Sequence, residues 1–177
     1  MYHYSLATTM DSIQADGDDL EDEFSGSVCL EGRALTRLPA QLFQGAHLDS
    51  IVQVDLSNNA ITSFEDTDAN EPAPWATLSS LRNLNLSHNI AYIELEAIFA
   101  ATSLRVLDLS HMALVHAPVL LDRLPQLEEL YLDHNAIYVC LASVAYCPLS
   151  LAIELSSNLL RRIPIGIRTI YHIASDR

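Results

Sequence analysis

The sequence predicts an α/β solenoid, a fold in which short repeats stack side by side and share one core. One pattern of apolar residues recurs six times, with Leu, Ile or Val at its fourth and sixth places. Four of the six copies carry Asn at the ninth place. The later sixth places fall at residues 86, 109, 132 and 155, in steps of 23. Such a period is typical of repeat proteins, because a single repeat cannot bury its apolar side alone.

The pattern is most complete in the fifth copy, which runs from Leu127 to Ile137. Its alternation Leu130-Tyr131-Leu132 predicts a short strand, with both leucines in the core and the tyrosine facing outward. The other copies begin at residues 25, 51, 81, 104 and 150. Because stacked strands pair edge to edge, the six copies predict one continuous sheet over a shared core.

The Asn at the ninth place supplies both a donor and an acceptor to a turn whose backbone groups would otherwise be buried without partners. Arg33 and Met112 stand at this place in two copies. We therefore expect Met112→Asn to restore a hydrogen bond and to stabilise the fold by roughly 0.5–1.5 kcal/mol. The alternative is that Met112 fills an apolar gap.

These repeats resemble those of the intracellular leucine-rich repeat proteins, whose units are roughly 23 residues long. The resemblance implies a right-handed horseshoe of about six repeats over residues 25–177, with a short parallel β-sheet on the concave face. It implies little about function, because members of this family bind unrelated partners.

The returns between strands run along the convex side. The return at 93–101 has the apolar spacing of a helix. The return from Phe64 to Trp75 is long, acidic and interrupted by prolines, which predicts an ordered surface loop. Trp75 at its end can either anchor a partner or fold back over the core.

Charge separates the first 24 residues from the rest of the chain. The net charge is −14, and residues 1–24 carry seven acids and no basic side chain. We expect residues 1–24 to form an acidic, mobile N-terminal segment. It either contacts a basic partner or only increases solubility.

Motifs for several other classes of protein are missing from the sequence. It has no Gly-rich phosphate loop and no nucleophile elbow, which argues against an enzyme or a cofactor. A strongly acidic chain without a basic patch does not favour direct binding of nucleic acid. No apolar run approaches the ~18–20 residues that span a bilayer, so no membrane is expected.

Three cysteines without a clustered cap favour a reducing compartment. We expect a cytoplasmic location, with a nuclear or ciliary one as alternatives. Cys140 and Cys147 lie in a mostly apolar run, where small buried side chains are expected rather than a zinc site or a disulfide.

Three histidines occupy the eighth place of successive copies, at His88, His111 and His134. Stacked repeats would set them about 5 Å apart, a separation at which two imidazoles can share a metal. The row would be exposed to solvent, however, and no carboxylate accompanies it at a fixed offset. The sequence therefore does not predict a metal site.

The outward side chains of the sheet come from the third, fifth and seventh places of each copy. Six of these eighteen residues are acids and none is basic. A row of carboxylates inside a concave surface focuses negative potential, so we expect a basic protein partner. Tyr131, between Glu129 and Asp133, is a candidate aromatic anchor. The residues that we expect to contact the partner are Glu31, Asp55, Asn85, Asp108, Glu129, Tyr131, Asp133 and Glu154.

The sequence thus predicts a protein–protein interaction module. Two alternatives stay open: a regulatory subunit of an enzyme such as a type-1 protein phosphatase, and a structural subunit of a large axonemal or ribonucleoprotein assembly. The last strand would leave backbone groups unpaired at its outer edge. Five isoleucines between residues 163 and 173 either fold over this edge, or it is covered by self-association or a partner.

Overall fold

The computed structural model describes residues 26–45, 47–62, 74–89, 95–138 and 151–160. Six strands of three residues each form one parallel sheet, in which sequence neighbours are also spatial neighbours. The strands are β1 (Ser27–Cys29), β2 (Gln53–Asp55), β3 (Asn83–Asn85), β4 (Val106–Asp108), β5 (Glu129–Tyr131) and β6 (Ala152–Glu154). The predicted solenoid is confirmed, because each of the six sequence copies supplies one strand.

The strands pair in a register that aligns equal places of the repeats. The fourth places form one buried row across the sheet: Val28, Val54, Leu84, Leu107, Leu130 and Ile153. None of these six side chains is more than 4 % exposed. The sixth places extend the same core behind the sheet, with Leu30 the most exposed of them at 6 %. Burial of this apolar surface is the main force that holds neighbouring repeats together.

The described returns contain 3₁₀ helices. They are Ala40–Phe43, Leu48–Ser50, Pro74–Thr77, Leu95–Ala100 and Leu121–Arg123. The helix expected at 93–101 is thus a 3₁₀ helix, which buries Leu95, Ile98 and Phe99. Three residues per turn align positions i and i+3, so one short segment can cover the core of a narrow repeat. None of the helices in the described ranges is long and apolar enough to cross a lipid bilayer.

Trp75 folds back over the core. Its side chain is completely buried, and its ring meets the Phe43 ring edge-on, with 5.2 Å between the ring centroids. A buried indole is unavailable to a partner, which decides between the two roles that the sequence left open.

Asn135 shows what the ninth place contributes. Its Oδ1 accepts hydrogen bonds from the backbone N–H groups of Met112 and Leu114, at 3.0 and 2.9 Å. Its Nδ2 donates to the carbonyls of Leu109 and Leu132, at 2.9 Å each. One buried amide therefore ties two consecutive repeats together. The other Asn residues of this ladder, Asn59, Asn89 and Asn158, make equivalent bonds across their own repeat boundaries.

Met112 packs in the core instead of leaving a gap in this ladder. Its side chain is completely buried. An Asn there would donate to the carbonyls of Leu86 and Leu109, which already accept from Asn89 and Asn135. A second bond to such a carbonyl is possible, because the Leu56 carbonyl accepts from both Asn59 and Asn89. Met112→Asn would therefore exchange a buried apolar side chain for hydrogen bonds, and the stabilisation expected from the sequence stays a prediction.

The eighth place of every repeat has a left-handed backbone. The φ angles there lie between 51° and 64° at Gly32, Asn58, His88, His111, His134 and Ser157. The two repeats without Asn at the ninth place have a second such residue at the tenth place, Ala34 and Ala113, both with φ 54°. Arg33 and Met112 thus accompany a different turn, which the sequence pattern did not reveal.

Ala113→Gly should raise the free energy of unfolding by about 0.5–1 kcal/mol. A left-handed backbone is sterically strained for an L residue with a Cβ atom and is not strained for glycine. Ala136 is the matched control, since it occupies the tenth place of an Asn-containing repeat and is not left-handed. Ala136→Gly should lower the free energy of unfolding by about 0.4–1 kcal/mol, through greater freedom of the unfolded chain. Urea denaturation measures both changes. Shifts of the same sign in the two variants would contradict the assignment.

Four expectations fall outside the described residues. They concern the acidic segment 1–24, the surface loop over 64–73, the cysteines Cys140 and Cys147, and the isoleucines of 163–173 at the C-terminal edge. Within the described part, β6 pairs with β5 on one side. Self-association or partner contact at its other edge stays a prediction.

Candidate functional site

The outward side chains of the sheet form aligned rows on one face, which we call the concave face. The fifth places stand side by side in the order Cys29, Asp55, Asn85, Asp108, Tyr131 and Glu154. Neighbouring strands lie about 4.8 Å apart, so each side chain of the row is close to the next. The third and seventh places flank this row and contribute Glu129, Glu31 and Asp133. The structure thus brings all eight predicted contact residues to one face.

Tyr131 lies at the most acidic part of this face. In the strand register it stands between Asp108 of β4 and Glu154 of β6. Its hydroxyl donates a hydrogen bond of 2.8 Å to Glu129 Oε2, and 38 % of the residue is exposed. That hydrogen bond, followed by partial burial and by the three nearby carboxylates, raises the pKa of Tyr131 above its usual 10.0. We call Asp108, Glu129, Tyr131 and Glu154 the Tyr131 cluster.

Most of the fifth-place side chains have a structural role that the sequence analysis missed. Asp55, Asp108 and Glu154 each accept a hydrogen bond of 2.9–3.0 Å from the backbone N–H two residues later. Asn85 does the same with its Oδ1, at 3.0 Å from the Ser87 nitrogen. This is a side-chain turn of the kind that Asp and Asn favour. The sequence does contain a pattern that indicates this role, because Leu-Ser directly follows each of these four residues.

Glu31 lies at the other end of the face from the Tyr131 cluster, just after β1. Its Oε1 accepts a hydrogen bond of 3.0 Å from Asn58 Nδ2. Beside the face, Arg105 forms an ion pair of 2.5 Å with Glu128, in which both side chains are partly exposed. The positive charge of Arg105 is therefore balanced by its own neighbour and not by the Tyr131 cluster.

The histidine row is closely stacked. The ring centroids of His88 and His111 are 4.1 Å apart, those of His111 and His134 are 4.3 Å apart, and the rings are within 14° of parallel. Burial, followed by repulsion from the charged forms of His88 and His134, lowers the pKa of His111 below its usual 6.5, and Asp133 and Asp108 oppose this shift. The side-by-side arrangement expected from the 23-residue period is present.

Asp133 joins the row from the seventh place. One of its carboxylate oxygens lies 3.9 Å from His134 Nε2. One ligand atom from each of His111, Asp133 and His134 lies within 4.8 Å of the other two. Cys29, Glu31 and Asp55 form a second group of the same size at the other end of the face. Cys140 and Cys147 lie outside the described residues.

Comparison with known proteins identifies the repeats. A family model described as leucine rich repeat matches residues 79–137, which contain β3, β4 and β5. Podocan-like protein 1 of Mus musculus is 37 % identical over 115 residues, which cover 63 % of this chain. Residues 79–137 are therefore leucine-rich repeats. The chain spans only 18 % of the length of that mouse relative.

Solved structures agree with this assignment. A leucine-rich repeat protein of Leptospira interrogans superposes with a TM-score of 0.61 at 25 % identity, over 74 % of this chain and 31 % of its own. The mouse RP105/MD-1 complex gives a TM-score of 0.56 at 20 % identity, over 82 % of this chain and 22 % of the other, which shows the fold alone. Leucine-rich repeat proteins generally mediate protein–protein interactions.

Proposed function

We propose that this protein binds a basic protein segment through its concave face, with the Tyr131 cluster at the centre of contact. The observation that carries the proposal is the arrangement of that cluster. Two strand neighbours and one side chain of its own strand place three carboxylates around a partly exposed aromatic ring. A Lys or Arg side chain of the partner could stack on the face of the Tyr131 ring and also pair with the carboxylates around it.

The charge of the whole face supports a basic partner. The third, fifth and seventh places of the six repeats contain six acids and no Lys or Arg. Ser57, Ser87 and Ser110, at three of the seventh places, are buried and do not contribute to the exposed face. Carboxylates of one sign lining a concave surface increase the local concentration of cationic segments and speed their association. Tyr131 is also held by its hydrogen bond to Glu129, so less conformational freedom is lost on binding.

The finer expectations from the sequence stay predictions. These are the absence of catalysis, the cytoplasmic location, and the roles in a type-1 phosphatase or in an axonemal or ribonucleoprotein assembly. No contact among the described residues favours either assembly role over the general one. The mouse RP105/MD-1 complex supports only the broader statement that a related fold can bind a protein.

The proposal is tested by selecting binding segments from a displayed library of random peptides against the full chain. Selected peptides should be enriched in Arg or Lys, and their affinity should fall as salt is raised. Tyr131→Ala should weaken binding by about 2 kcal/mol, or roughly 30-fold, as expected for a central aromatic anchor. Asp108→Asn should also weaken binding. It removes a charge but keeps the oxygen that accepts from the Ser110 N–H, as Asn85 does in its own repeat.

Asp122→Asn is the control, because it removes the same charge from an exposed return helix. It should leave the affinity nearly unchanged. Peptides without basic residues, or equal losses for Asp122→Asn and Asp108→Asn, would show that the concave face does not select the partner by its charge.

A further inference from the structure

The His111, Asp133 and His134 side chains form a compact group of metal-binding atoms at the margin of the concave face. Two imidazoles and one carboxylate contribute an atom each, all within 4.8 Å of one another. The two imidazole rings are stacked, with centroids 4.3 Å apart and planes 11° from parallel. Asp133, at the seventh place of the same repeat as His134, has a carboxylate oxygen 3.9 Å from His134 Nε2.

To bind one tetrahedral zinc ion, the three ligand atoms must move closer together and one imidazole ring must tilt out of the stack, because a ring nitrogen binds a metal in the plane of its ring. Ligand atoms at ~2.0–2.2 Å from the ion stand roughly 3.3 Å from one another. The atoms here need to approach by about 1.5 Å at most. The His134 and Asp133 side chains are 49 % and 20 % exposed, so rotation about their side-chain bonds can supply that movement.

The backbone holds the two histidines in place without help from a metal. Both have a left-handed backbone, with φ 53° at His111 and 51° at His134. Their N–H groups donate to the carbonyls of Asp133 and Ser156, at 3.1 Å each. The register of the repeats therefore fixes the backbone of both histidines before an ion arrives, which reduces the ordering cost of binding.

We propose that His111, His134 and Asp133 bind one divalent transition-metal ion, with Zn²⁺ as the best match. Two nitrogens and one carboxylate oxygen form a ligand set typical of zinc. Solvent or a side chain of a bound protein completes the coordination. His88 is not a ligand, because it stacks on the far side of His111, two repeats away from His134.

Two similar groups among the described residues are weaker candidates. The pair His88 and His111 has Ser110 at the seventh place, where the other pair has the carboxylate of Asp133. In the group of Cys29, Glu31 and Asp55, both carboxylates already accept hydrogen bonds, from Asn58 Nδ2 and from the Ser57 N–H. Metal binding there would compete with bonds that hold the turns.

The experiment is a calorimetric titration of the full chain with Zn²⁺ alone, repeated on four variants. The chain itself provides neutral replacements, because Asn58 occupies the eighth place of its repeat and Ser110 the seventh place of another. His111→Asn, His134→Asn and Asp133→Ser each remove one ligand and keep a residue type that the turn accepts. His88→Asn makes the same change one repeat away from the site.

Wild type should bind one Zn²⁺ at this site. Each of the three ligand variants should weaken binding by about tenfold or more, since loss of a ligand costs no less than loss of a supporting contact. His88→Asn should stay within about threefold of wild type. Circular dichroism confirms that each variant is folded. The proposal is overturned if wild type does not bind Zn²⁺, if the ligand variants bind like wild type, or if His88→Asn weakens binding as much as His134→Asn does.

Discussion

Replacing Trp75 by Ala should lower the free energy of unfolding by about 3–5 kcal/mol, the range found when a buried aromatic side chain is truncated. Trp75 is completely buried, and its edge-on contact with Phe43 joins two successive returns. Truncation removes that contact and leaves a cavity between 3₁₀ helices that cover the core. Urea denaturation followed by circular dichroism measures the loss.

Tyr131→Ala serves as the control for the Trp75 change, because it truncates an aromatic side chain on the partly exposed concave face. Its free energy of unfolding should fall by less than about 1 kcal/mol. The same measurement separates a binding defect of Tyr131→Ala from a folding defect. Equal losses for Trp75→Ala and Tyr131→Ala would contradict the position of Trp75 in the core.

Asn135→Ala should cost about 3 kcal/mol of stability, although it removes only a few atoms. The change leaves the N–H groups of Met112 and Leu114 without the oxygen that accepts from both. A buried polar group without a partner costs about 1–3 kcal/mol. Denaturation gives the total, and hydrogen exchange at the Met112 and Leu114 amides should accelerate more than exchange elsewhere.

Asn83→Ala is the matched control, because Asn83 is exposed at the third place of β3. It should change stability by less than about 0.5 kcal/mol. If Asn135→Ala changed stability as little as Asn83→Ala, the amide would not be what connects these repeats. The energetic role of the ninth place would then have to be attributed to apolar packing alone.

The strands were predictable because they depend on local order in the sequence. The alternation at Leu130-Tyr131-Leu132 fixes which side chains face inward, and the 23-residue period aligns them with the neighbouring strands. The same two facts place Glu129 and Tyr131 on the concave face. The fold and the residues of the concave face could therefore be predicted without knowing which distant residues are in contact.

Features that depend on distant contacts or on turn geometry were not predictable. Burial of Trp75 rests on Phe43, which lies 32 residues earlier in the chain (75 − 43 = 32). The left-handed backbone at Ala113 has no residue signal, because Ala rarely adopts it. The approach of Asp133 to His134 depends on how one turn directs two adjacent side chains. A one-dimensional pattern does not contain that information.

In four repeats the hydrogen bond at the fifth place separates the stability of the turn from its electrostatic character. The turn uses an oxygen acceptor there, and Asp55, Asn85 and Glu154 all provide one despite their different charges or lengths. The charge of a repeat can thus change by one unit while its turn keeps the same bond. Evolution or a protein engineer could vary this position repeat by repeat and obtain faces of graded charge on an unchanged scaffold.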